Sequence, residues 1–301
     1  MNTFRPYPPL TLATAVMLAL GSLAAAAGQR PFAAQQPADA AGTVEIVNVA
    51  GSIDVRGWDR PMVDVSGTIG ERVERVDVSS SGNRTTVRVV LPNSGPKTDG
   101  EANLRIRVPQ ASSLEASLVS ADLKVEGLGG SQRLRTVSGD IAASGGGNLD
   151  VETVSGDVGL AARGSHEVRV KSISGDVSVE DSDNSLQVTT VSGDAKLSVG
   201  ALKSGHFETV SGDVMFGGAL DGNGQLEFQS VSGDLQLHFA SAPDADFDVQ
   251  DFSGDIVNCF GPKPDKEQFG PGQRLNFRSG KGGGRVRASS HSGDVSICTG
   301  K

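Results

Sequence analysis

Two columns of polar side chains and one pair of cysteines are the residues of this chain best equipped for chemistry. Aspartates stand at Asp140, Asp157, Asp176, Asp194, Asp213, Asp234, Asp255 and Asp294, each closing a Ser-Gly-Asp tripeptide. Carboxylates repeated in this way can line up to hold cations, or can close chain corners by accepting backbone N–H groups. The corner reading is the stronger. Stacked carboxylates ~5 Å apart repel by roughly 1 kcal/mol in water, about what one backbone hydrogen bond returns. The nine-residue GGxGxD calcium repeat of other β-rolls is also absent. The column is therefore expected to be structural, with weak cation binding at most and no dedicated metal site.

A second column carries hydroxyls, Thr136, Thr153, Ser172, Thr190, Thr209, Ser230 and Ser290, interrupted by Asp251. Such a ladder could bind ice or an ordered polysaccharide. Strand propensity and cross-rung hydrogen bonding account for it without a ligand. The four histidines, His166, His206, His238 and His291, form no HExxH or HxxxH pair, and the chain has no G-x-S-x-G elbow. The triplets Gly145-Gly146-Gly147 and Gly282-Gly283-Gly284 read as turns, because no helix follows either to make a phosphate cradle. No catalytic residue and no cofactor are expected.

Positioning these columns requires a small unit repeated along an axis. The corner glycines are Gly139, Gly156, Gly175, Gly193, Gly212, Gly233, Gly254 and Gly293, separated by 17, 19, 18, 19, 21, 21 and 39 residues. Between corners, apolar and polar residues alternate in two short stretches, the period-two pattern of strands with one buried face. No helical period is present. One unit cannot bury its apolar face alone, but stacking turns each inward position into a continuous ladder, so the fold class is all-β, a parallel β-solenoid. The inward positions are read at minus 7, minus 5, minus 2, plus 2 and plus 4 from each glycine. The minus 2 column comprises Val137, Val154, Ile173, Val191, Val210, Val231 and Phe252. Glycine at the corner is expected to supply positive φ.

Val119-Ser120-Ala121-Asp122 reads as a degenerate ninth corner, making about nine two-stranded rungs and a rod ~40 Å long at ~4.8 Å per rung. Residues 43–110 keep strand alternation but lose the period, and are read as an irregular β cap containing Trp58, the single tryptophan. Residues 111–301 form the solenoid. Residues 1–27, with Arg5, an apolar run from Leu10 to Leu23 and Ala25-Ala26-Ala27, read as a signal peptide, and residues 28–42 as a flexible leader. No later segment could cross a bilayer. The net charge of −9 argues against nucleic acid and against unassisted docking on an anionic membrane.

The segment VEIVNVAGSIDVRGWD followed by serial (T/S)-V-S-G-D-(V/I) corners resembles the bacterial putative-adhesin family of SGD-repeat proteins, also called the toastrack domain. The resemblance spans roughly residues 43 to 300 and implies a secreted or membrane-tethered envelope β-solenoid. It supplies no catalytic residue. The expected function is an exported, non-catalytic adhesin, scaffold or sensing surface, periplasmic or secreted, whose partner is an envelope protein or a glycan. The alternative is a polysaccharide-cleaving parallel β-helix, calcium-dependent in its acidic residues. Arg285 with Arg287, or Lys263, Asp265, Lys266 and Glu267, are compatible with it. Against it stands the scarcity of aromatics, 4 % of the chain, for sugar platforms.

The only cysteines, Cys259 and Cys298, each lie five residues beyond a corner glycine and so share an outward position. If Gly254 and Gly293 belong to adjacent rungs, in-register strands bring the Cα atoms to about 5 Å, within the ~4.4–6.8 Å of a disulfide. The 39-residue gap is then assigned to an inserted loop, 261–284, with a short strand Leu275-Asn276-Phe277 folded over the open end.

Overall fold

A computed structural model describes residues 28–92, 100–266 and 271–300; the signal-peptide reading of 1–27 and the loop residue Glu267 lie outside the described residues. The N-terminal strands are β1 (Gln29–Pro37), β2 (Thr43–Trp58), β3 (Met62–Gly70), β4 (Arg75–Ser81), β5 (Arg84–Val90), β6 (Ala102–Pro109) and β7 (Ser113–Leu128). The repeats follow as β8 (Gln132–Arg135), β9 (Ile141–Gly145), β10 (Gly147–Thr153), β11 (Val158–Ala161), β12 (Ser165–Ser172), β13 (Val177–Glu180) and β14 (Ser185–Thr190). Two long strands, β15 (Ala195–Ser211) and β16 (Val214–Ser232), run around a bend and serve both faces of the rod. The last are β17 (Leu235–Phe239), β18 (Ala245–Asp251), β19 (Ile256–Asn258), β20 (Asp265–Lys266), β21 (Gln273–Ser279), β22 (Gly284–Ser292) and β23 (Val295–Thr299).

Every described element is a strand, and the fold is the expected parallel β-solenoid, flattened into two faces joined by the Ser-Gly-Asp corners. Along the two faces residues pair one for one between rungs, with register shifts between Val125 and Leu128, Gly147 and Leu149, Ser198 and Ala201, and Leu202 and Ser204. On one face a single buried line runs Val87, Ile46, Ala116, Leu134, Val151, Val170, Val188, Phe207, Phe228, Ala288, Val249. The facing line includes Val125, Ala143, Leu160, Val179, Leu197, Phe216, Leu237 and Ile297. Burying a Val or Leu contributes about 1.5–3 kcal/mol, so each rung is held mainly by what it shares with its two neighbours.

The two ends depart from the sequence reading. Residues 29–37 are not a flexible leader: β1 pairs antiparallel with β3 along its whole length, and Phe32 packs against the core. This covers a sheet edge that β3 would otherwise expose. Within 43–110, β2 is a regular rung stacked in parallel between β5 and β6 on one side and β7 on the other. Its corner is closed by buried Asn48, whose Nδ2 donates to Ala50 O at 3.0 Å and Ala102 O at 3.2 Å. Only β1, β3 and β4 bring antiparallel pairing. Trp58 lies under the guanidinium of Arg107, 4.5 Å from its ring centroid. Arg107 also bonds Asp64 at 2.7 Å. Burial raises the Asp64 pKa, but hydrogen bonds from Arg107 and Gln35 outweigh it and leave that carboxyl below its ordinary value.

At the other end the chain leaves its own order. After β16 and β17 it skips one rung, forms β18 and β19, turns back through β20 and β21, and only then fills the gap. Strand β22 inserts between β16 and β18, and β23 between β17 and β19. The strand around Leu275 and Phe277 does cover the open end, as β21 paired antiparallel with β18. The turn from β21 into β22 is anchored by Asp244, whose Oδ1 accepts from Lys281, Gly282 and Gly283 N–H at 2.6, 2.6 and 3.2 Å. These backbone bonds, that of Gly283 foremost, hold the Asp244 pKa below its ordinary value.

Candidate functional site

The corners form one long edge of the rod, and the alternation of the strand running into each corner decides which side chains face out. Positions minus 7 and minus 5 are inward, so the next inward position is minus 3, and it belongs to the hydroxyls. Thr136, Thr153, Ser172, Thr190, Thr209, Ser230 and Ser290 are all buried. Thr136 Oγ1 accepts from Gly139 N–H at 3.1 Å, Thr153 Oγ1 from Gly156 at 3.0 Å and Ser172 Oγ from Gly175 at 3.0 Å. Ser230 Oγ donates to Gly233 O at 3.1 Å, while Thr190, Thr209 and Ser290 are buried without a hydrogen-bond partner among the described residues, so the hydroxyl column is internal, bracing four of its corners, and the surface it would need to bind ice or polysaccharide is not on offer.

The glycine requirement also has a different origin from the one expected. Only Gly233 and Gly293 among the eight corner glycines have positive φ, 143° and 139°. At every corner the constraint is close approach. A Cβ on Gly156 would overlap the Gly139 carbonyl oxygen, and one on Gly175 that of Gly156, and the same clash recurs up the stack. The rungs could not close to strand spacing with any larger residue.

The aspartates brace rung to rung rather than closing their own turn. Asp122 Oδ1 accepts from Asp140 N–H, Asp140 from Asp157, Asp157 from Asp176, Asp176 from Asp194, Asp194 from Asp213 and Asp213 from Asp234, at 2.8–3.1 Å. The ladder then runs from Asp234 to Asp294 and from Asp294 to Asp255, following space rather than sequence. Gln273 ends it by donating to Asp255 Oδ1 at 2.6 Å. A charge-assisted bond of about 1.5–3 kcal/mol per rung exceeds the ~1 kcal/mol repulsion between neighbouring carboxylates. Among the described residues no group of three or more His, Cys, Asp or Glu is arranged to hold a metal ion.

The minus 2 column is the correction with the largest consequence. Val137, Val154, Ile173, Val191, Val210 and Val231 are 40–51 % exposed, Val119 is 44 % exposed and Phe252 60 %. The pleat turns these side chains outward as a straight apolar line at the crest of the edge, with the Asp ladder alongside. Their apolar type in an inward-looking pattern hid this. The signal that reveals it is strict alternation counted from minus 7.

Cys259, the residue after β19, and Cys298, within β23, form a disulfide with Cα atoms 4.8 Å apart. The histidines remain scattered. His206 bonds Glu208 at 2.8 Å and stands 3.3 Å from Glu227, while His291 stacks on Phe252. Arg285 and Arg287 lie on an outer face in register with Asp246 and Asp248, where oppositely charged residues face one another across rungs. Lys263, Asp265 and Lys266 are exposed, the last two as β20 paired antiparallel with β21, whereas Arg285 and Arg287 lie on β22. Among the described residues no helix is long and apolar enough to cross a membrane.

The family model described as Toastrack DUF4097 matches residues 52–298. Among solved structures, the chain is similar to one named a putative lipid binding protein from Parabacteroides distasonis, with 11 % identity and a TM-score of 0.52 over 89 % of this chain and 96 % of that one. This likeness shows the fold. A putative adhesin from Bacteroides fragilis matches at 12 % identity and a TM-score of 0.42, covering 90 % of this chain and 97 % of that one. A putative cell adhesion protein from Clostridium sporogenes matches at 12 % identity and a TM-score of 0.26, covering 90 % and 100 %. No curated protein matches the chain.

Proposed function

Because the chain belongs to the toastrack DUF4097 family, we propose that it is an exported, non-catalytic β-solenoid of the bacterial cell envelope that works by presenting its corner edge to a partner. It is an adhesin, scaffold or sensing surface rather than an enzyme. The observation that carries this reading is the outward apolar ladder, seven Val and Ile side chains each two-fifths exposed or more, followed on the last two rungs by His291 and Phe252. Soluble proteins seldom keep so continuous an apolar line in water unless something covers it. The disulfide supports an oxidising destination.

Charge defines the partner. A carboxylate on every rung flanks the ladder, which disfavours an anionic membrane and a like-charged second edge, and favours a protein segment bearing an apolar strip bordered by Lys or Arg. The test compares two baits in envelope extracts, the native rod and an Ile173→Ser, Val191→Ser, Val210→Ser variant. These side chains are exposed, so the variant is expected to melt within a few degrees of the native rod. The expected result is a protein retained by the native rod, released by salt, and lost at least tenfold from the variant. Equal capture by both baits would overturn the reading.

A further inference from the structure

The two outer faces of the rod are furnished differently. On the face whose strands lead into the corners, acids meet bases across rungs: Arg133 Nε stands 3.2 Å from Asp150 and Arg135 Nε 2.9 Å from Glu152. On the face whose strands lead away from them, the outward plus 3 residues run in register as Lys124, Ala142, Gly159, Ser178, Lys196 and Met215. The three middle rungs of this line carry small side chains or none, while the rungs on either side carry long ones. The result is a trough of about 500 Å³, with Asp140, Asp157, Asp176 and Asp194 along one rim and Lys196 and Met215 at one end. A second hollow of about 290 Å³ shares Ala142, Gly159 and Ser178 with it and reaches Lys124 at the other end.

Every side chain the trough offers faces solvent. Ala142, Gly159 and the four aspartates are exposed and Ser178 is half-buried, whereas Ile141, Val158 and Val177 are buried and give the floor only their backbone. The rim is charged and unbalanced. Each of the four aspartates uses Oδ1 to accept the N–H of the next rung. Unlike Asp150 and Glu152, none of them is ion-paired among the described residues. An apolar floor under a row of carboxylates is complementary to a Lys or Arg side chain, whose methylene stem buries on apolar surface while its head group stays in contact with charge and water.

Length matches as well as charge. Four carboxylates on successive rungs span about 14 Å at ~4.8 Å per step, and three alternate side chains of an extended strand span about 13 Å. We propose that this trough seats an extended cationic segment of the partner protein, running along the rod with alternate Lys or Arg stems on the floor and their head groups at Asp140, Asp157, Asp176 and Asp194. The seat rests on the docking reading of the apolar ladder and deepens it. It confines the partner's basic border to the rungs of Gly139 to Gly193, beside Val137, Val154, Ile173 and Val191.

The test titrates the full chain by calorimetry at low salt with the synthetic peptide acetyl-(Lys-Ser)4-amide. Saturable binding is expected with Kd on the order of 0.1 mM, and none of the acidic counterpart acetyl-(Glu-Ser)4-amide. Asp157→Asn with Asp176→Asn keeps both Oδ1 acceptors of the ladder and should weaken binding at least fivefold. Asp234→Asn with Asp294→Asn removes the same charge beyond the trough and should change it less than twofold. Ala142→Met with Gly159→Met gives these rungs the bulk that Met215 carries, and a Cβ at Gly159 meets nothing within 4 Å, so the filled rod is expected to fold. It should bind at least fivefold more weakly with every charge in place. A peptide with 2,4-diaminobutyric acid for lysine, which keeps the charge and shortens the stem, should bind at least threefold more weakly. Equal effects of the two aspartate pairs, native affinity in the filled variant, equal binding of the long- and short-stemmed peptides, or no saturable binding up to about 5 mM would each overturn the proposal. An envelope protein retained by the Ala142→Met, Gly159→Met bait but lost from the Ile173→Ser, Val191→Ser, Val210→Ser bait would also overturn it, and would leave the docking role of the apolar ladder standing.

Discussion

The middle of the rod and its C-terminal end are built from the same unit but follow different rules of connection. From Gly139 to Gly233, neighbours in sequence are neighbours in space, and the Asp ladder climbs in chain order. At the end the order in space is Asp234, Asp294, Asp255. Every rung presents the same register of backbone groups and inward side chains, so the edge of one rung accepts any other. The ladder therefore sets spacing and alignment without setting sequence order. At the end that order is decided by the hairpin β20–β21, the disulfide and a cluster in which Phe247 stacks on Phe277 at 4.6 Å while Phe260 packs edge-on to both.

If the middle is a stack whose stability is shared between neighbours, damage there should spread, whereas damage at the end should stay local. Replacing Gly175 with Ala forces a Cβ onto the Gly156 carbonyl oxygen in the centre of the rod. We expect a loss of roughly 3 kcal/mol or more in urea unfolding, since the clash is with backbone that cannot move without displacing every rung above it. Gly254→Ala, at the last rung, meets the Gly293 carbonyl in the same way but should cost less than half as much. Equal losses at the two positions would contradict the distinction.

The disulfide should matter only at the end. Cys298→Ser is expected to lower stability by about 2–4 kcal/mol against opening of the terminal rungs. In hydrogen exchange, protection should fall in residues 256–258 and 295–299 and persist in 158–197. Protection lost throughout would mean that the bond holds the whole stack rather than its final strands.

A smaller effect sharpens the comparison within the buried hydroxyl column. Thr153 Oγ1 accepts from Gly156 N–H, whereas Thr209 Oγ1 has no partner among the described residues. Thr153→Val should cost about 1–3 kcal/mol by leaving a buried donor unsatisfied, and Thr209→Val about zero, both read from the midpoint of urea unfolding. If the two variants lose the same amount, the column is braced by packing rather than by hydrogen bonds.

The edge shows where sequence reasoning succeeds and where it misleads. Positions minus 7, minus 5, plus 2 and plus 4 read correctly because residue type and period agree: Leu186, Val188, Ala195 and Leu197 are apolar and all are buried. At minus 2 and minus 3 they disagree. Valine suggested burial and threonine exposure, yet Val191 is 43 % exposed and Thr190 is 1 % exposed. The pleat prevails because it is fixed by the backbone ladder, and at Thr136, Thr153 and Ser172 the buried hydroxyl also accepts a corner N–H that a valine could not.

By itself the sequence determined the unit, the parallel stack, the approximate rung count and the pairing of Cys259 with Cys298, because a periodic chain with in-register strands leaves few alternatives. It also marked Asp251 as an interruption of the hydroxyl column without indicating that Asp251 and Ser290, 39 positions apart, meet on adjoining rungs. That meeting was decided by the tertiary structure. Identical rung edges are degenerate in sequence, and only the packing of the end hairpin and its phenylalanines selects the insertion of β22 between β16 and β18. The same holds for the aspartates: their types and spacing announced a column, but only stacking at strand distance aims each carboxylate at the N–H of the next rung and not at its own turn.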